Sequence, residues 1–170
     1  VYSDNTKFTD YSLSVSLNEE TNTYRASSNL PTQIAGTNEA ENLVGRSGDD
    51  LLVANDGDDI LAGGAGDDQL LGGEGDDTAL FTKANTSVTI DLAAGTASGV
   101  ETGNDTLRDI ENAVGGGGDD TLTGSAGDNR LVGGLGDDIF DGGSGNDSLD
   151  GGAGSDVYKV SDGDDVIISG

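Results

Sequence analysis

Residues 45–80 read GRSGDDLLV, ANDGDDILA, GGAGDDQLL and GGEGDDTAL, four consecutive nonapeptides beginning at Gly45, Ala54, Gly63 and Gly72. The register reaches back one unit to Gly36-TNEAENLV. After an interruption it resumes as Gly115-GGGDDTLT, Gly124-SAGDNRLV, Gly133-GLGDDIFD, Gly142-GSGNDSLD, Gly151-GAGSDVYK and Val160-SDGDDVII. Across these eleven units position four is Gly in ten, and position six is Asp in nine, with Glu41 and Asn129 as the exceptions. Position eight is large and apolar (Leu43, Leu52, Leu61, Leu70, Leu122, Leu131, Phe140, Leu149, Tyr158, Ile167) except at Ala79, where the first block stops.

Each unit is a Gly/Asp turn followed by a few residues able to form a strand. Glycines at positions one, two and four permit positive φ and close approach of backbones. A single apolar side chain per unit cannot make a core alone, so units must stack as in a solenoid, with the position-eight ladder inside. Short strands with a turn at each end imply two units per coil, so that unit n lies on unit n+2.

Stacking at a strand spacing of about 4.8 Å crowds the position-six carboxylates. Two like charges about 5 Å apart repel by roughly 1 kcal/mol in water and about 3 kcal/mol at an effective dielectric of about 20. A divalent cation between successive turns reverses the sign of this term. Carboxylates and backbone carbonyls in a loose turn suit Ca²⁺, with its six to eight oxygen ligands, better than the strictly octahedral Mg²⁺.

The rest of the composition agrees. The chain has 33 acidic and 7 basic residues, a formal charge of −26, and no Cys or His. Disulfides, Cys/His zinc sites and imidazole or thiol chemistry are excluded. So polyanionic a surface disfavours nucleic acid and anionic membrane as partners. No apolar run reaches membrane-spanning length, and no signal peptide is evident. With 32% hydrophobic residues and 30 glycines, the chain has the composition of a disordered one unless something else supplies folding energy.

The glycines all lie beyond residue 35. Before it, Tyr11, Leu13, Val15 and Leu17 alternate with Ser12, Ser14 and Ser16, which predicts a strand; Asn18 to Asn22 is a turn, and Thr23 to Ala26 a return strand. An isolated hairpin is marginal in water, so this one is expected to cap the repeats or to end a preceding domain. The chain therefore divides into an N-terminal piece (1–35), a first repeat block (36–80), an insertion (81–114) and a second block (115–170) truncated at its C-terminus. Starting at Val1 and stopping at Ser169-Gly170 within repeat-like sequence, it reads as a fragment.

The pattern G-G-x-G-x-D-x-U-x, as in Gly63-Gly64-Ala65-Gly66-Asp67-Asp68-Gln69-Leu70-Leu71, resembles the haemolysin-type, or RTX, calcium-binding repeats over about residues 36–170. The resemblance implies an all-β parallel β-roll (a β-solenoid), with the hairpin as cap, one insertion between two repeat blocks, and several Ca²⁺ ions between turns on both edges. It also implies a larger protein of a Gram-negative bacterium, secreted by a type I exporter to the extracellular space or cell surface. In this family one ion takes positions two, four and six of one turn and one, three and six of the turn stacked on it. Carried over, Arg46, Gly48 and Asp50 face Gly63, Ala65 and Asp68, while Asn55, Gly57 and Asp59 face Gly72, Glu74 and Asp77. In the second block Gly116, Gly118 and Asp120 face Gly133, Leu135 and Asp138, and Gly134, Gly136 and Asp138 face Gly151, Ala153 and Asp156.

Three sites depart from the pattern. Asn129 replaces Asp where the partners are Gly142, Ser144 and Asp147; Glu39 and Glu41 replace Gly and Asp in the first turn; and Val160 replaces Gly where Gly143, Gly145 and Asp147 meet Asp162 and Asp165. Within the insertion, Val88, Ile90 and Leu92 predict a strand, Gly95 to Gly99 a turn, and Glu101 to Leu107 recovers positions two to eight of a unit. The expected pairing there sets Glu101, Gly103 and Asp105 against Gly115, Gly117 and Asp120 across an ion, with a short metal-free turn from Arg108 to Asn112 on the other edge.

The basic residues Lys7, Lys83, Lys159, Arg25, Arg46, Arg108 and Arg130 are scattered along the chain, so catalysis is not expected. The function expected is a calcium-binding module that is disordered without calcium and folds on binding it after export. The alternative is a calcium-dependent polysaccharide- or surface-binding accessory module of an exoenzyme or adhesin.

Overall fold

Alternation of an inward apolar residue with outward neighbours, interrupted every few residues by glycine, favours short strands over helix. The computed structural model describes residues 15–18, 21–27, 29–159 and 161–170, and among them every regular element is a strand. In chain order these are β1 (Val15–Asn18), β2 (Thr23–Ala26), β3 (Gln33–Ala35), β4 (Asn42–Ser47), β5 (Leu51–Asp56) and β6 (Ile60–Ala65). Next come β7 (Gln69–Glu74), β8 (Thr78–Leu80), β9 (Val88–Asp91), β10 (Thr96–Gly99), β11 (Gly103–Arg108) and β12 (Asn112–Val114). The last are β13 (Thr121–Thr123), β14 (Arg130–Leu135), β15 (Ile139–Asp141), β16 (Ser148–Ala153), β17 (Val157–Lys159) and β18 (Val166–Ser169).

From β2 to β9, and again from β11 to β18, successive strands alternate between two sheets, as two units per coil requires. The first sheet runs β1-β2-β4-β6-β8-β12-β14-β16-β18, and every pair in it after β1-β2 is parallel. Leu43 pairs with Leu61, and Leu52 with Leu70, each one coil of 18 residues further on. Between the sheets lie Leu43, Leu52, Leu61, Leu70, Ala79, Leu122, Leu131, Phe140 and Leu149, all with no exposed surface. Phe140 stacks on Tyr158 with ring centroids 5.1 Å apart. At the last coil Ile167 is 45% exposed, because no rung covers it.

The return strand of the N-terminal hairpin joins the solenoid. β1 pairs antiparallel with β2, and β2 continues the first sheet through Tyr24↔Leu43. Tyr11 and Leu13 of the expected hairpin lie outside the described residues.

The insertion departs from expectation. Where the first sheet passes from β6 through β8 to β12, the second passes from β7 through β11, β10 and β9 to β13. Three strands thus replace one, and they stand in reverse order along the axis. After β8 the chain skips ahead to lay β9 on β13, returns antiparallel as β10, and sets β11 parallel on β7. The segment from Thr96 to Gly99 is therefore a strand and not the expected turn, which falls just before it. Phe81, Ala84 and Ile110 fill the space where the rungs diverge.

Truncating the inner ladder tests this architecture. Leu61→Ala is expected to lower the unfolding free energy in saturating calcium by about 3 kcal/mol, measured by urea titration, whereas the outward Gln69→Ala is expected to change it by less than about 0.5 kcal/mol.

Candidate metal centre

Each turn of a regular coil presents its position-six carboxylate in the same way. One oxygen accepts the N–H of the position-six residue of the preceding turn. On one edge Thr32 N–H donates to Asp50 Oδ1 (2.6 Å), Asp50 N–H to Asp68 Oδ1 (2.7 Å) and Asp68 N–H to Asp105 Oδ1 (2.9 Å). Past the insertion the same edge continues from Val88 to Asp120, from Asp120 to Asp138 and from Asp138 to Asp156. The other edge runs Glu41 to Asp59, Asp59 to Asp77, then Asn129 to Asp147 and Asp147 to Asp165.

The second carboxylate oxygen is the anomaly. Oδ2 of Asp50, Asp59, Asp68, Asp77, Asp105, Asp138 and Asp147 is buried with no hydrogen-bond partner, although a buried acceptor left unpaired costs about 1–3 kcal/mol and more when charged. These atoms face a cradle held open by glycine. A Cβ added at Gly45 would collide with both Asp50 Oδ2 and the Gly63 carbonyl oxygen, and one at Gly133 with Asp138 Oδ2 and the Gly151 carbonyl oxygen. At Gly45 and Gly133 glycine thus serves for space and not for positive φ, while Ala54 takes the same position in the Asp59 turn. Positive φ is used at positions two and four, as at Gly64 (113°) and Gly66 (133°). Arg46 (121°) and Asn55 (85°) take the same region without being glycine.

Of the four expected ligand sets without a departure, three have this open form at their first turn: Asp50 with Gly63, Ala65 and Asp68; Asp59 with Gly72, Glu74 and Asp77; Asp138 with Gly151, Ala153 and Asp156. Asp147 is also open toward the turn holding Asp162 and Asp165, while Val160 lies outside the described residues. Three turns are closed. Asp120 Oδ2 accepts the N–H of Gly116 in its own turn (2.7 Å), Asn129 Oδ1 that of Ser125 (2.6 Å), and both oxygens of Glu41 accept that of Thr37. None of the position-two residues Thr37, Gly116 and Ser125 has positive φ, whereas Arg46, Asn55, Gly64, Gly73, Gly134 and Gly143 of the open turns do.

One expected pairing is corrected. Asp105 stacks on Asp68, 37 residues earlier, and Gly103 on Gly66, so Glu101, Gly103 and Asp105 do not face Gly115, Gly117 and Asp120. The reversal of the inserted strands separates the two turns. Gly116–Gly118 pack on Phe81 to Ser87 instead, where Gly117 N–H donates to Ala84 O (2.8 Å), and Glu101 accepts the N–H of Asn85.

Reasoning from sequence also missed a second ladder on the outside of the turns. Position-five carboxylates accept the N–H of the next turn's position five: Asp49 from Asp67, Asp58 from Asp76, Asp119 from Asp137 and Asp128 from Asn146. The signal was present, since position five is Asp in most units. The basic residues are likewise less scattered than they read. Arg25, Arg46 and Lys83 converge with Glu101 on a groove of about 300 Å³ whose floor is Val44, Ala62 and Leu80 on the outer face of the first sheet. Among the described residues the one ion pair is Lys159–Asp141, so neither Arg46 nor Lys83 is paired.

Among the described residues no three acidic side chains are grouped so that side chains alone could hold a metal ion. Each open cradle offers two carboxylates and several carbonyls, a donor set of hard oxygens that fits Ca²⁺ and offers nothing to a softer metal. Burial pushes Asp68 and Asp105 up to about 7, and Asp50, Asp77 and Asp138 up to about 6; it also raises Asp59 and Asp147. The backbone N–H bonds only partly offset it.

A family model of four copies of the RTX calcium-binding nonapeptide repeat matches residues 36–79, 114–149 and 150–170. No curated protein matches the chain. Residues 80–113, with the three inserted strands, fall outside the matched segments.

The raised carboxyl groups set the sign of the pH dependence. These acids hold their protons more tightly folded than unfolded, so their contribution is full below about pH 4 and is lost as pH rises through about 6–7. In chelator, circular dichroism is expected to show more β-structure at pH 5 than at pH 8. Calcium affinity is expected to move the other way, falling as pH drops from 8 to 5, because bound ligands must be deprotonated.

Proposed function

The chain belongs to the RTX calcium-binding nonapeptide repeat family, and from that premise we propose that this calcium-binding β-roll is a folding switch of a larger secreted bacterial protein, disordered where calcium is scarce and rigid where it is abundant. The observation that carries the reading is the row of buried Oδ2 atoms without partners along both edges. The metal-free fold must hold these carboxylates either protonated or charged and unsatisfied. A ligand that binds only the folded state stabilises it by RT ln(1 + [L]/Kd) at each site, so several sites of modest affinity suffice. Because each cradle takes oxygens from two stacked turns, binding at one site orders half of the next, and folding is cooperative in calcium. Scarce calcium inside the cell leaves a self-repelling polyanion suited to a type I exporter, and millimolar calcium outside drives folding. The module performs no catalytic step in this reading.

A second reading rests on the groove. Arg46 and Lys83, unpaired in a chain of charge −26, lie beside an apolar floor, an arrangement that suits the carboxylates of an acidic polysaccharide. Alginate titrated in calcium is expected to bind the parent and to lose at least tenfold in affinity with Arg46→Ala/Lys83→Ala; equal binding by both proteins excludes the groove.

The switch is tested by far-UV circular dichroism at neutral pH. A coil spectrum in chelator is expected to become a β spectrum on calcium addition, with a Hill coefficient above 1. The same β spectrum in both conditions contradicts the reading.

A further inference from the structure

The link between β11 and β12 contains only Asp109, Ile110 and Glu111, where a regular turn of this edge has six residues between inner strands. From sequence it reads as a metal-free connection. Its geometry is that of a cradle. A Cβ added at Gly72 would collide with Asp77 Oδ2 and the Asp109 carbonyl oxygen, the relation that Gly45 bears to Asp50 Oδ2 and the Gly63 carbonyl oxygen. Asp109 takes positive φ (52°), the one non-glycine among the described residues to do so between Asn55 and the C-terminus, and its carbonyl thereby stands where position one of a complete turn would place its own. Glu111 Oε2 accepts the N–H of Asp77 at 2.9 Å, as Asp77 Oδ1 accepts that of Asp59. The longer glutamate side chain thus spans the distance lost with the missing residues.

The other half of the cradle is in the open form. Gly73 (123°) and Gly75 (149°) have the positive φ of the open turns. Asp77 has no exposed surface, and its Oδ2 is buried and unpartnered. On the far side the Glu111 carbonyl accepts the Asn129 side-chain amide at 2.7 Å, so a donor group, and no cradle, follows along this edge.

We propose that Asp109–Glu111 completes a further calcium site with Gly73, Gly75 and Asp77, in which Glu111 replaces the position-six aspartate and the ion joins the two repeat blocks across the insertion. The ligands are the carboxylates of Asp77 and Glu111 and the carbonyls of Gly73, Gly75 and Asp109. This site rests on the reading of the regular turns as calcium sites, and the test separates the two. Calcium bound per chain at saturation is counted by equilibrium dialysis and metal analysis for the full chain, Glu111→Gln and Asp50→Asn. The glutamine keeps an acceptor for the Asp77 N–H while removing the charge. Both variants are expected to hold one ion fewer than the parent, with β spectra in calcium unchanged. An unchanged count in Glu111→Gln beside a loss in Asp50→Asn overturns the site alone; unchanged counts in both overturn the regular sites as well. Should Glu111→Gln fail to fold, Glu111→Asp carries the test: its shorter reach is expected to weaken one ion at least tenfold, and a calcium isotherm identical to the parent's overturns the proposal.

Discussion

The structure depends on one electrostatic constraint: carboxylates repeated at the rise of a β-sheet. Each position-six aspartate is fixed by a backbone N–H on one oxygen, and in the open turns its other oxygen faces inward, out of water and without a partner. The inner ladder brings these groups together, since the same 18-residue register that sets Leu43 on Leu61 also sets Asp50 on Asp68. Hydrophobic burial and charge repulsion are therefore two consequences of one stacking geometry. With one inward side chain per unit, the core is too thin to absorb the repulsion easily, and a cation shared between turns turns the largest unfavourable term into a favourable one.

The turns show how narrow the difference is between a cradle and a self-contained turn. In the open turns of the regular repeats the position-two residue has positive φ, and Oδ2 is left for a cation. In the closed form at Glu41, Asp120 and Asn129, the position-two N–H turns onto the acid or amide and satisfies it internally. Asn129 goes further: its amide donates to the Glu111 carbonyl, supplying from the protein the positive end that a cation supplies elsewhere. Closed turns need no ion for satisfaction, so ion-dependent and ion-independent stacking coexist in one rod.

The insertion also sets the surroundings of the closed Asp120 turn. On one side that turn packs on the Phe81–Ser87 segment, and on the other it stacks on the regular turn of Gly133 to Asp138. The same rearrangement places Arg46 and Lys83 on one groove although they are far apart in sequence. The insertion thus changes both edge chemistry and outer surface without interrupting the core, because Ala113 and Ile90 continue the inner ladder where β8 and β13 need partners.

The nine-residue period alone determined the two-unit coil, the inner ladder and the acid-lined edges. A periodic chain that buries one residue per unit repeats its contacts with the same period, and Leu61, Asp68 and Gly63 can be placed by counting. Two matters were decided only in three dimensions. The order of the inserted strands could not be counted, since a hairpin that doubles back separates chain neighbours and joins distant residues; Asp105 therefore meets Asp68 and not Asp120. The form of each turn depends on a single peptide orientation, which glycine permits either way, so Gly116 closes its turn while Gly134 opens one.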